Sequence, residues 1–317
     1  MRILVTGAAG FVGSHVCQKL IVEQKVSDLA IGALVHQLPT TQLNGLDYLV
    51  ADVTDIDAVN SAIRGFRPDR ILHLAAVASP RLATGMDAWK VNLNGTLNIA
   101  SAALRYAPSS HLYYVSTGMV YGRTFAQRFP AREEDPINAV DDYSATKVAS
   151  EVVLQHCHAQ GLSLAILRPF NHSGPGQSSL YALPRFAQSI ARIEAGLDEP
   201  ILRVSGLESK RDFLHISDIV DAYWRALTIP QPPRGQIWNV CSGKAVRMRE
   251  IVDLFRSEAR VSIAVEENQS IPDQFPYMVG NSGRIESELS WQPQLGLDVL
   301  VRDVLEHERR KLISCGE

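Results

Sequence analysis

The residues best suited to chemistry in this sequence are a tyrosine and a lysine four positions apart, Tyr143 and Lys147. On a helix, residues at i and i+4 lie on one face, so the phenol and the ammonium can address the same ligand. A free tyrosine has a pKa of about 10, and a nearby cation favours its phenolate, so the pair can move a proton. Taken alone, the spacing is common, and an ordinary exposed helical face is the alternative interpretation.

Two hydroxyl side chains upstream strengthen the case for proton transfer. Ser116 and Thr117 follow the apolar run 113–115, which predicts a buried strand that ends in hydroxyl groups. In open α/β folds, ligands bind at the C-terminal ends of the strands, so a hydroxyl there lies where a substrate binds. Ser116 is equally suited to satisfying backbone groups at the end of the strand.

A glycine motif near the start of the chain predicts dinucleotide binding. Gly7, Gly10 and Gly13 follow a predicted first strand and open a predicted first helix, with Phe11 and Val12 between them. Glycines at this spacing permit a tight turn, let the backbone approach a pyrophosphate, and aim the helix N-terminus at the anion. We therefore predict that all five residues contact a cofactor. A purely structural glycine turn is the alternative.

The elements that must position these residues alternate along the first half of the chain. Apolar runs predict buried strands at 3–6, 29–35, 48–50, 70–74, 113–115 and 163–167, with helical patterns such as 12–21 and 55–64 between them. This alternation predicts an α/β fold with a doubly wound parallel sheet, covered on both faces. After residue 170 the chain becomes rich in Gly, Pro and Ser. We therefore expect a dinucleotide-binding domain at 1–170 and, at 171–317, mainly a smaller substrate-binding lobe, with some strands and helices returning to the sheet.

Composition excludes several classes of partner. The 317 residues are 46% apolar and 21% charged, with a net charge of −3, so bulk electrostatics would hold neither nucleic acid nor a membrane surface. No apolar run approaches the roughly 20 residues needed to span a bilayer, and we expect the apolar start to be a strand and not a secretory signal. The four cysteines lack C-x-x-C spacing, which predicts free thiols in a reducing compartment and no metal site. We expect a cytoplasmic protein.

With these motifs, essentially the whole chain resembles the extended short-chain dehydrogenase/reductase family of nucleotide-sugar epimerases, dehydratases and reductases. The resemblance implies a Rossmann fold, NAD(P)-dependent oxidoreductase chemistry on a nucleotide sugar, and a homodimer formed through the helices around 87–106 and 143–158. It implies the catalytic residues Thr117, Tyr143 and Lys147. Beyond the glycine motif, it implies cofactor contacts from His36, Asp52, Val53, Leu74, Ala75, Ala76, Asn92, Tyr143, Lys147 and Arg168. In the absence of this resemblance, the alternative interpretations are that Asp52 is a turn residue and that Asn92 is an amide that packs a helix.

A narrower resemblance, to the GDP-4-keto-6-deoxy-D-mannose reductases that form GDP-D-rhamnose, rests on segments 168–177, 210–213 and 239–243. It implies that Asn171 hydrogen-bonds the sugar nucleotide and that Arg211 pairs with diphosphate oxygens, for which a guanidinium fork is suited. Arg185 and Thr117 complete the predicted substrate contacts. His172 is left open between a ligand contact and a turn histidine satisfied by the backbone.

Three positions depart from the family pattern. Met119 stands where many relatives carry an acid, which is a Glu that works on C5 and C6 in the 4,6-dehydratases; methionine cannot move a proton, so we expect no dehydration. The second strand ends at His36, with neither an acid for the 2′-hydroxyl of NAD nor an Arg for a 2′-phosphate. His36 either serves a cofactor or faces solvent, and NADP(H) is slightly favoured over NAD(H). The stretch 271–273 lacks an Arg that many relatives place there for the diphosphate.

The sequence thus predicts reduction of the C4 ketone of a nucleoside-diphosphate 4-keto-6-deoxyhexose, with GDP-4-keto-6-deoxy-D-mannose as the leading substrate. A C4 epimerase would use the same three side chains but keep its NAD and return the hydride to the opposite face. A regulator that senses a dinucleotide without catalysis would have little use for Thr117, Tyr143 and Lys147 together.

Overall fold

Strands and helices alternate along the chain in the computed structural model, which describes residues 1–25, 28–78, 85–268 and 277–314. Up to residue 173 the elements are β1 (Arg2–Thr6), α1 (Phe11–Gln24), β2 (Ala30–Val35), β3 (Asp47–Val50), α2 (Ile56–Phe66), β4 (Arg70–His73), α3 (Met86–Trp89), a π-helical turn (Lys90–Asn94), α4 (Gly95–Tyr106), β5 (His111–Val115), a 3₁₀ segment (Gly118–Ala126), α5 (Asp142–Ala159), β6 (Ser163–Pro169) and β7 (Asn171–Ser173). Each predicted strand is present, with its ends shifted by a few residues at most.

The remaining elements are shorter strands between helices. They are α6 (Ala182–Glu194), β8 (Ile201–Val204), β9 (Lys210–Arg211), β10 (Phe213–His215), α7 (Ile216–Thr228), β11 (Gln236–Val240), β12 (Val246–Arg247), α8 (Met248–Glu258), β13 (Ala264–Glu267), β14 (Tyr277–Met278), α9 (Gly283–Leu289) and α10 (Leu297–Ser314).

Seven parallel strands form the central sheet, in the order β11-β6-β5-β4-β1-β2-β3. The chain moves outward from β1 through β2 to β3 and then returns to β4 on the other side of β1. This reversal opens a crevice at the C-terminal ends of β1 and β4, where open α/β sheets bind ligands. The doubly wound parallel sheet predicted from the sequence is confirmed.

Both faces of the sheet are buried, as the continuous apolar strands require. In β1, Ile3, Leu4 and Val5 are each 0% exposed, although alternate side chains point to opposite faces. Helices α1, α7 and α9 contribute to the apolar core on one face, and α2, α4 and α5 to the core on the other. The first core holds α1, which follows the glycine turn, against the sheet, and the second core holds α5, which carries Tyr143 and Lys147.

A separate apolar core holds the second half of the chain together. Helices α6, α8 and α10 pack there with β8 and β13. Arg309 of α10 donates to both carboxylate oxygens of Glu194 on α6, at 2.6 and 2.7 Å. Strand β11 nevertheless pairs with β6 in the central sheet, so the chain after residue 170 contributes to both parts. The functional division at residue 170 stays a prediction.

Candidate active site

The glycine turn between β1 and α1 is shaped for close approach. Gly7 has a φ of +67°, and a Cβ there would lie 2.8 Å from the backbone nitrogen of Ala75. A Cβ on Gly13 would lie 2.2 Å from the carbonyl oxygen of Gly7, so this position also requires glycine. Helix α1 begins with no side-chain cap and no acid in its first turn. Its first N–H groups therefore suit an anionic ligand, and the turn fits the pyrophosphate of a dinucleotide.

A cleft of about 750 Å³ opens from this turn along the C-terminal ends of the strands. It brings together most of the predicted site residues: Gly7, Gly10, Phe11, Val12, Gly13, Leu74, Ala75, Ala76, Thr117, Tyr143, Lys147, Asn171 and Arg211. Lys147 and Arg211 are the cations of the described lining apart from histidine, and no carboxylate side chain belongs to that lining. This charge balance suits a ligand that carries phosphate groups.

The first turn of α5 fixes the orientation of Tyr143. The side chain of Asp141 accepts from the backbone nitrogen of Ser144 at 2.7 Å, and the Ser144 hydroxyl accepts from the backbone nitrogen of Asp141 at 3.2 Å. This reciprocal capping box satisfies two backbone donors at the helix start. The phenol of Tyr143 thereby lies within hydrogen-bonding reach of Thr117, whose hydroxyl also accepts from the backbone nitrogen of Met119 at 3.2 Å.

Burial sets the protonation of the tyrosine and the lysine in opposite senses. Tyr143 is 8% exposed, and burial raises the pKa of its phenol well above the ordinary value, although the hydrogen bond to Thr117 opposes the rise. Lys147 is 4% exposed, and burial lowers its pKa to about 7, against the opposing charge of Glu151. The Lys147 ammonium donates to the carbonyl oxygen of Val115 at 2.8 Å. At neutral pH, Tyr143 is a proton donor in the absence of ligand.

Arg168, a predicted cofactor contact, lies behind the site and outside the described lining of the cleft, and its contact with a cofactor stays a prediction. Its guanidinium donates to both carboxylate oxygens of Glu151, at 2.6 and 3.0 Å, to the hydroxyl of Tyr121 at 2.9 Å and to the carbonyl oxygen of Glu133 at 3.2 Å. Glu151 also accepts from Ser116 at 2.5 Å. The side chain of Arg168 therefore neutralises a buried acid one turn after Lys147.

Asn92 also acts from behind the cleft. It is 0% exposed and lies in the π-helical turn. Its side-chain oxygen accepts from the backbone nitrogen of Val77 at 2.8 Å, and its side-chain nitrogen donates to the hydroxyl of Thr146 at 2.9 Å. Asn92 therefore links the segment after β4 to the helix that carries Tyr143 and Lys147. Its predicted cofactor contact stays a prediction.

Buried hydroxyls and a histidine extend this support to β1. The Thr6 hydroxyl accepts from the backbone nitrogen of Ala75 at 3.1 Å and lies 2.7 Å from Nδ1 of His73. Nε2 of His73 lies 3.0 Å from the Thr96 hydroxyl, which donates to the carbonyl oxygen of Asn92. Burial lowers the pKa of His73 to about 3, so the ring is neutral. The strand ends and the π-helical turn thus form one hydrogen-bonded unit.

Three of the predicted cofactor contacts, His36, Asp52 and Val53, follow the ends of β2 and β3 and lie outside the described lining of the cleft. The side chain of His36 is 75% exposed, and its Nδ1 lies 3.5 Å from a carboxylate oxygen of Asp52. Asp52 accepts from the backbone nitrogen and the hydroxyl of Thr54, each at 2.8 Å, and the backbone bond is the main cause of its lowered pKa. Val53 is buried beside α4.

The predicted substrate residues divide between two places. The side-chain nitrogen of Asn171 donates to the carbonyl oxygen of Asp212 at 3.2 Å, and Arg211 lies beside it on the cleft wall. His172 also lines the cleft; its Nδ1 contacts the carbonyl oxygen of Phe170 at 2.8 Å, so both interpretations of this residue stay open. Arg185 instead borders a separate hollow on another side of α6, which does not support its predicted substrate contact.

Sequence reasoning missed Glu151 and Tyr121 as supports of the site. Glu151 lies four residues after Lys147, and this spacing was an available signal. The hydroxyl of Tyr121 accepts from Arg168 and donates to Asn239. These residues are far apart in the sequence, so no local pattern predicts the contact.

Other sequence expectations concern metals, membranes and thiols. Within the described ranges, no group of three or more metal-ligating side chains is placed to hold an ion. No helix of that part of the chain has the length and apolar character required to cross a membrane. Cys17, Cys157 and Cys241 are buried free thiols. Cys315 and the stretch 271–273 lie outside the described residues.

Comparisons with known proteins agree with the fold. The family model described as "NAD dependent epimerase/dehydratase family" matches residues 3–241. A curated relative, GDP-6-deoxy-D-mannose reductase of Pseudomonas aeruginosa, is 28% identical over 96% of each chain.

Two of the solved structures that match over nearly the full length are similar at more than 25% identity. RMD from Pseudomonas aeruginosa, complexed with NADPH, has a TM-score of 0.84 at 28% identity and covers 98% of each chain. The UDP-glucose 4-epimerase of Thermus thermophilus, in complex with NAD, has a TM-score of 0.81 at 27% identity, covering 98% of this chain and 99% of the other. The family model spans well over half of the sequence, so this chain is an enzyme that belongs to the NAD dependent epimerase/dehydratase family.

Proposed function

We propose that this protein reduces the C4 ketone of a nucleoside-diphosphate 4-keto-6-deoxyhexose, with GDP-4-keto-6-deoxy-D-mannose as the leading substrate. The observation that carries the proposal is the pairing of a buried, protonated Tyr143 with Thr117 in a cleft that also holds the glycine turn. Likeness to the Pseudomonas reductase supports this substrate, and so does the wall formed by Asn171 and Arg211.

The proposed chemistry needs one hydride and one proton. When bound, the nicotinamide cofactor supplies the hydride that reaches C4 of the sugar. Tyr143 gives its proton to the oxygen that develops negative charge at C4, and Thr117 hydrogen-bonds the same oxygen. Lys147 holds the nicotinamide ribose and stabilises the tyrosine after it has lost its proton. The product is an alcohol at C4.

Met119 is consistent with a reductase that does not dehydrate. It packs with Tyr143, Val77 and Ala88 in a small apolar cluster beside the catalytic residues. A methionine at this position offers no group that could remove a proton from C5 of the sugar. The described lining of the cleft carries no carboxylate side chain that could replace it.

We favour NADP(H) over NAD(H) as the cofactor. Strand β2 is followed by the exposed imidazole of His36, where an acid would repel a 2′-phosphate. The Pseudomonas structure is complexed with NADPH, whereas the Thermus epimerase is in complex with NAD. Asp52, near His36, limits this preference to a modest one.

We also propose a cytoplasmic homodimer. Leu97 on α4 is 41% exposed and Val152 on α5 is 58% exposed, so these helices present apolar side chains on their outer faces. They are the helices through which family resemblance implies dimerisation.

The test of the proposed reaction is cofactor stoichiometry. Adding GDP-4-keto-6-deoxy-D-mannose to the protein with NADPH should cause loss of NADPH absorbance, with one GDP-6-deoxyhexose formed per NADPH consumed. An epimerase would instead interconvert two C4-epimeric nucleotide sugars with bound NAD and no added reductant. Interconversion of that kind would contradict the reductase proposal and favour a C4 epimerase.

A further inference from the structure

Three buried polar atoms in the cleft wall have no hydrogen-bond partner among the described residues. They are the hydroxyls of Ser173 and Tyr223 and the side-chain oxygen of Gln177. Ser173 and Tyr223 are each 1% exposed and Gln177 is 8% exposed, yet all three residues line the cleft. Leaving a buried polar group unsatisfied costs free energy, so such groups are expected to have a ligand as partner.

The orientation of Gln177 identifies which kind of group it offers. Its side-chain nitrogen donates to the carbonyl oxygen of His172 at 3.1 Å. The unsatisfied atom is therefore the amide oxygen, which only accepts hydrogen bonds. The two hydroxyls can each donate. Together the three groups offer two donors and one acceptor.

The fold directs Tyr223 toward the same wall. Gly174, directly after Ser173, lies so close to α7 that a Cβ there would be 2.3 Å from a side-chain carbon of Ile216. Tyr223 is seven residues after Ile216, so the two share one face of α7, and helical side chains lean toward the N-terminus of their helix. Burial raises the pKa of Tyr223 well above its ordinary value, with a smaller contribution from Tyr143, so its hydroxyl stays a donor.

A primary carboxamide is the complementary chemical group. Its carbonyl oxygen accepts from hydroxyl donors, and its NH₂ group donates to an amide oxygen. The nicotinamide ring of the family's cofactor carries such a group. We propose that Ser173, Gln177 and Tyr223 hold the carboxamide of the nicotinamide ring and thereby orient that ring in the cleft.

The test compares ligands that contain or lack this group, using Tyr223→Phe and Ser173→Ala. The dissociation constant of NADP⁺ should rise about three- to tenfold in each variant, the loss of one ordinary hydrogen bond. The dissociation constant of 2′,5′-ADP, which has no nicotinamide, should not change in either variant. Wild-type protein should bind NADP⁺ more tightly than its nicotinic acid analogue, since the acceptor oxygen of Gln177 would face a carboxylate. Gln177→Glu should increase that preference, because two carboxylates would then repel each other.

Thermal unfolding of the ligand-free protein separates this role from a structural one. Tyr223→Phe removes an unsatisfied hydroxyl, so its midpoint should equal or exceed that of the wild type. Tyr113→Phe is the control, because Tyr113 is a buried tyrosine of β5 outside the cleft lining, and its NADP⁺ affinity should match that of the wild type.

Three results would overturn the inference: unchanged NADP⁺ affinity in both Tyr223→Phe and Ser173→Ala, equal losses for NADP⁺ and 2′,5′-ADP, or a lowered thermal midpoint in Tyr223→Phe with no selective loss of NADP⁺ affinity in Ser173→Ala. The inference requires dinucleotide binding in this cleft but not the reductase reaction, since an epimerase would hold the same ring. A wild-type protein that bound neither NADP⁺ nor NAD⁺ would overturn both the inference and the proposed function.

Discussion

Replacing Tyr143 by phenylalanine is expected to lower kcat for ketone reduction by about 10²- to 10⁴-fold, the usual contribution of a positioned general acid. The buried phenol, next to Thr117, is the proton donor proposed for the C4 oxygen. Removing one oxygen atom leaves the cleft wall in place, so the dissociation constant of NADPH should stay within about twofold of the wild-type value. Steady-state kinetics and a fluorescence titration measure the two quantities.

Tyr113→Phe is the matched control for this prediction, because it removes a buried phenolic oxygen from β5 outside the cleft lining. Its kcat should remain close to that of the wild type. Turnover of the true substrate by Tyr143→Phe at a near wild-type rate would show that the proton comes from another group.

Replacing Glu151 by alanine is expected to lower the free energy of unfolding by about 3–5 kcal/mol, because it leaves the charge of Arg168 buried without its partner. Both side chains are nearly inaccessible, and two hydrogen bonds join them. The loss of negative charge should also lower the pKa of Lys147 further, since Glu151 opposes the effect of burial there. Urea unfolding measures the stability change.

Two variants calibrate the stability measurement. Replacing both partners with apolar side chains, Glu151→Leu with Arg168→Met, removes the unpaired charge and should recover much of the lost stability. Arg192→Ala breaks an exposed ion pair with Asp198 and should lower the free energy of unfolding far less than Glu151→Ala does. A cost below about 1 kcal/mol for Glu151→Ala would mean that the buried pair is not a major stabilising contact.

Local patterns were sufficient to predict the glycine turn and six of the seven strands of the central sheet, all except β11. Gly7 and Gly13 are needed by the backbone path and by neighbouring backbone atoms, so their spacing alone indicates the turn. Tyr143 and Lys147 lie one helical turn apart, and the helical period placed both on the face that lines the cleft. These features depend on a few consecutive residues.

Contacts between distant parts of the chain were harder to predict. Arg168 ends a strand beside the site, but its pairing with Glu151 depends on how α5 packs against β6, which no short pattern determines. Arg185 follows the cleft-lining start of α6 but borders a different hollow. Tyr223 gave no signal in the sequence, because its place in the cleft follows from the packing of α7 beneath β7.

The fate of the hydride tests the central claim most directly. The protein would be incubated with GDP-4-keto-6-deoxy-D-mannose and NADPH carrying deuterium at nicotinamide C4, with the (4R) and (4S) forms used separately. One of the two forms should give a GDP-6-deoxyhexose with one deuterium at sugar C4 for each NADP⁺ produced. Conversion of one nucleotide sugar into its C4 epimer without consumption of NADPH, and with no deuterium in the product, would contradict the proposed reduction.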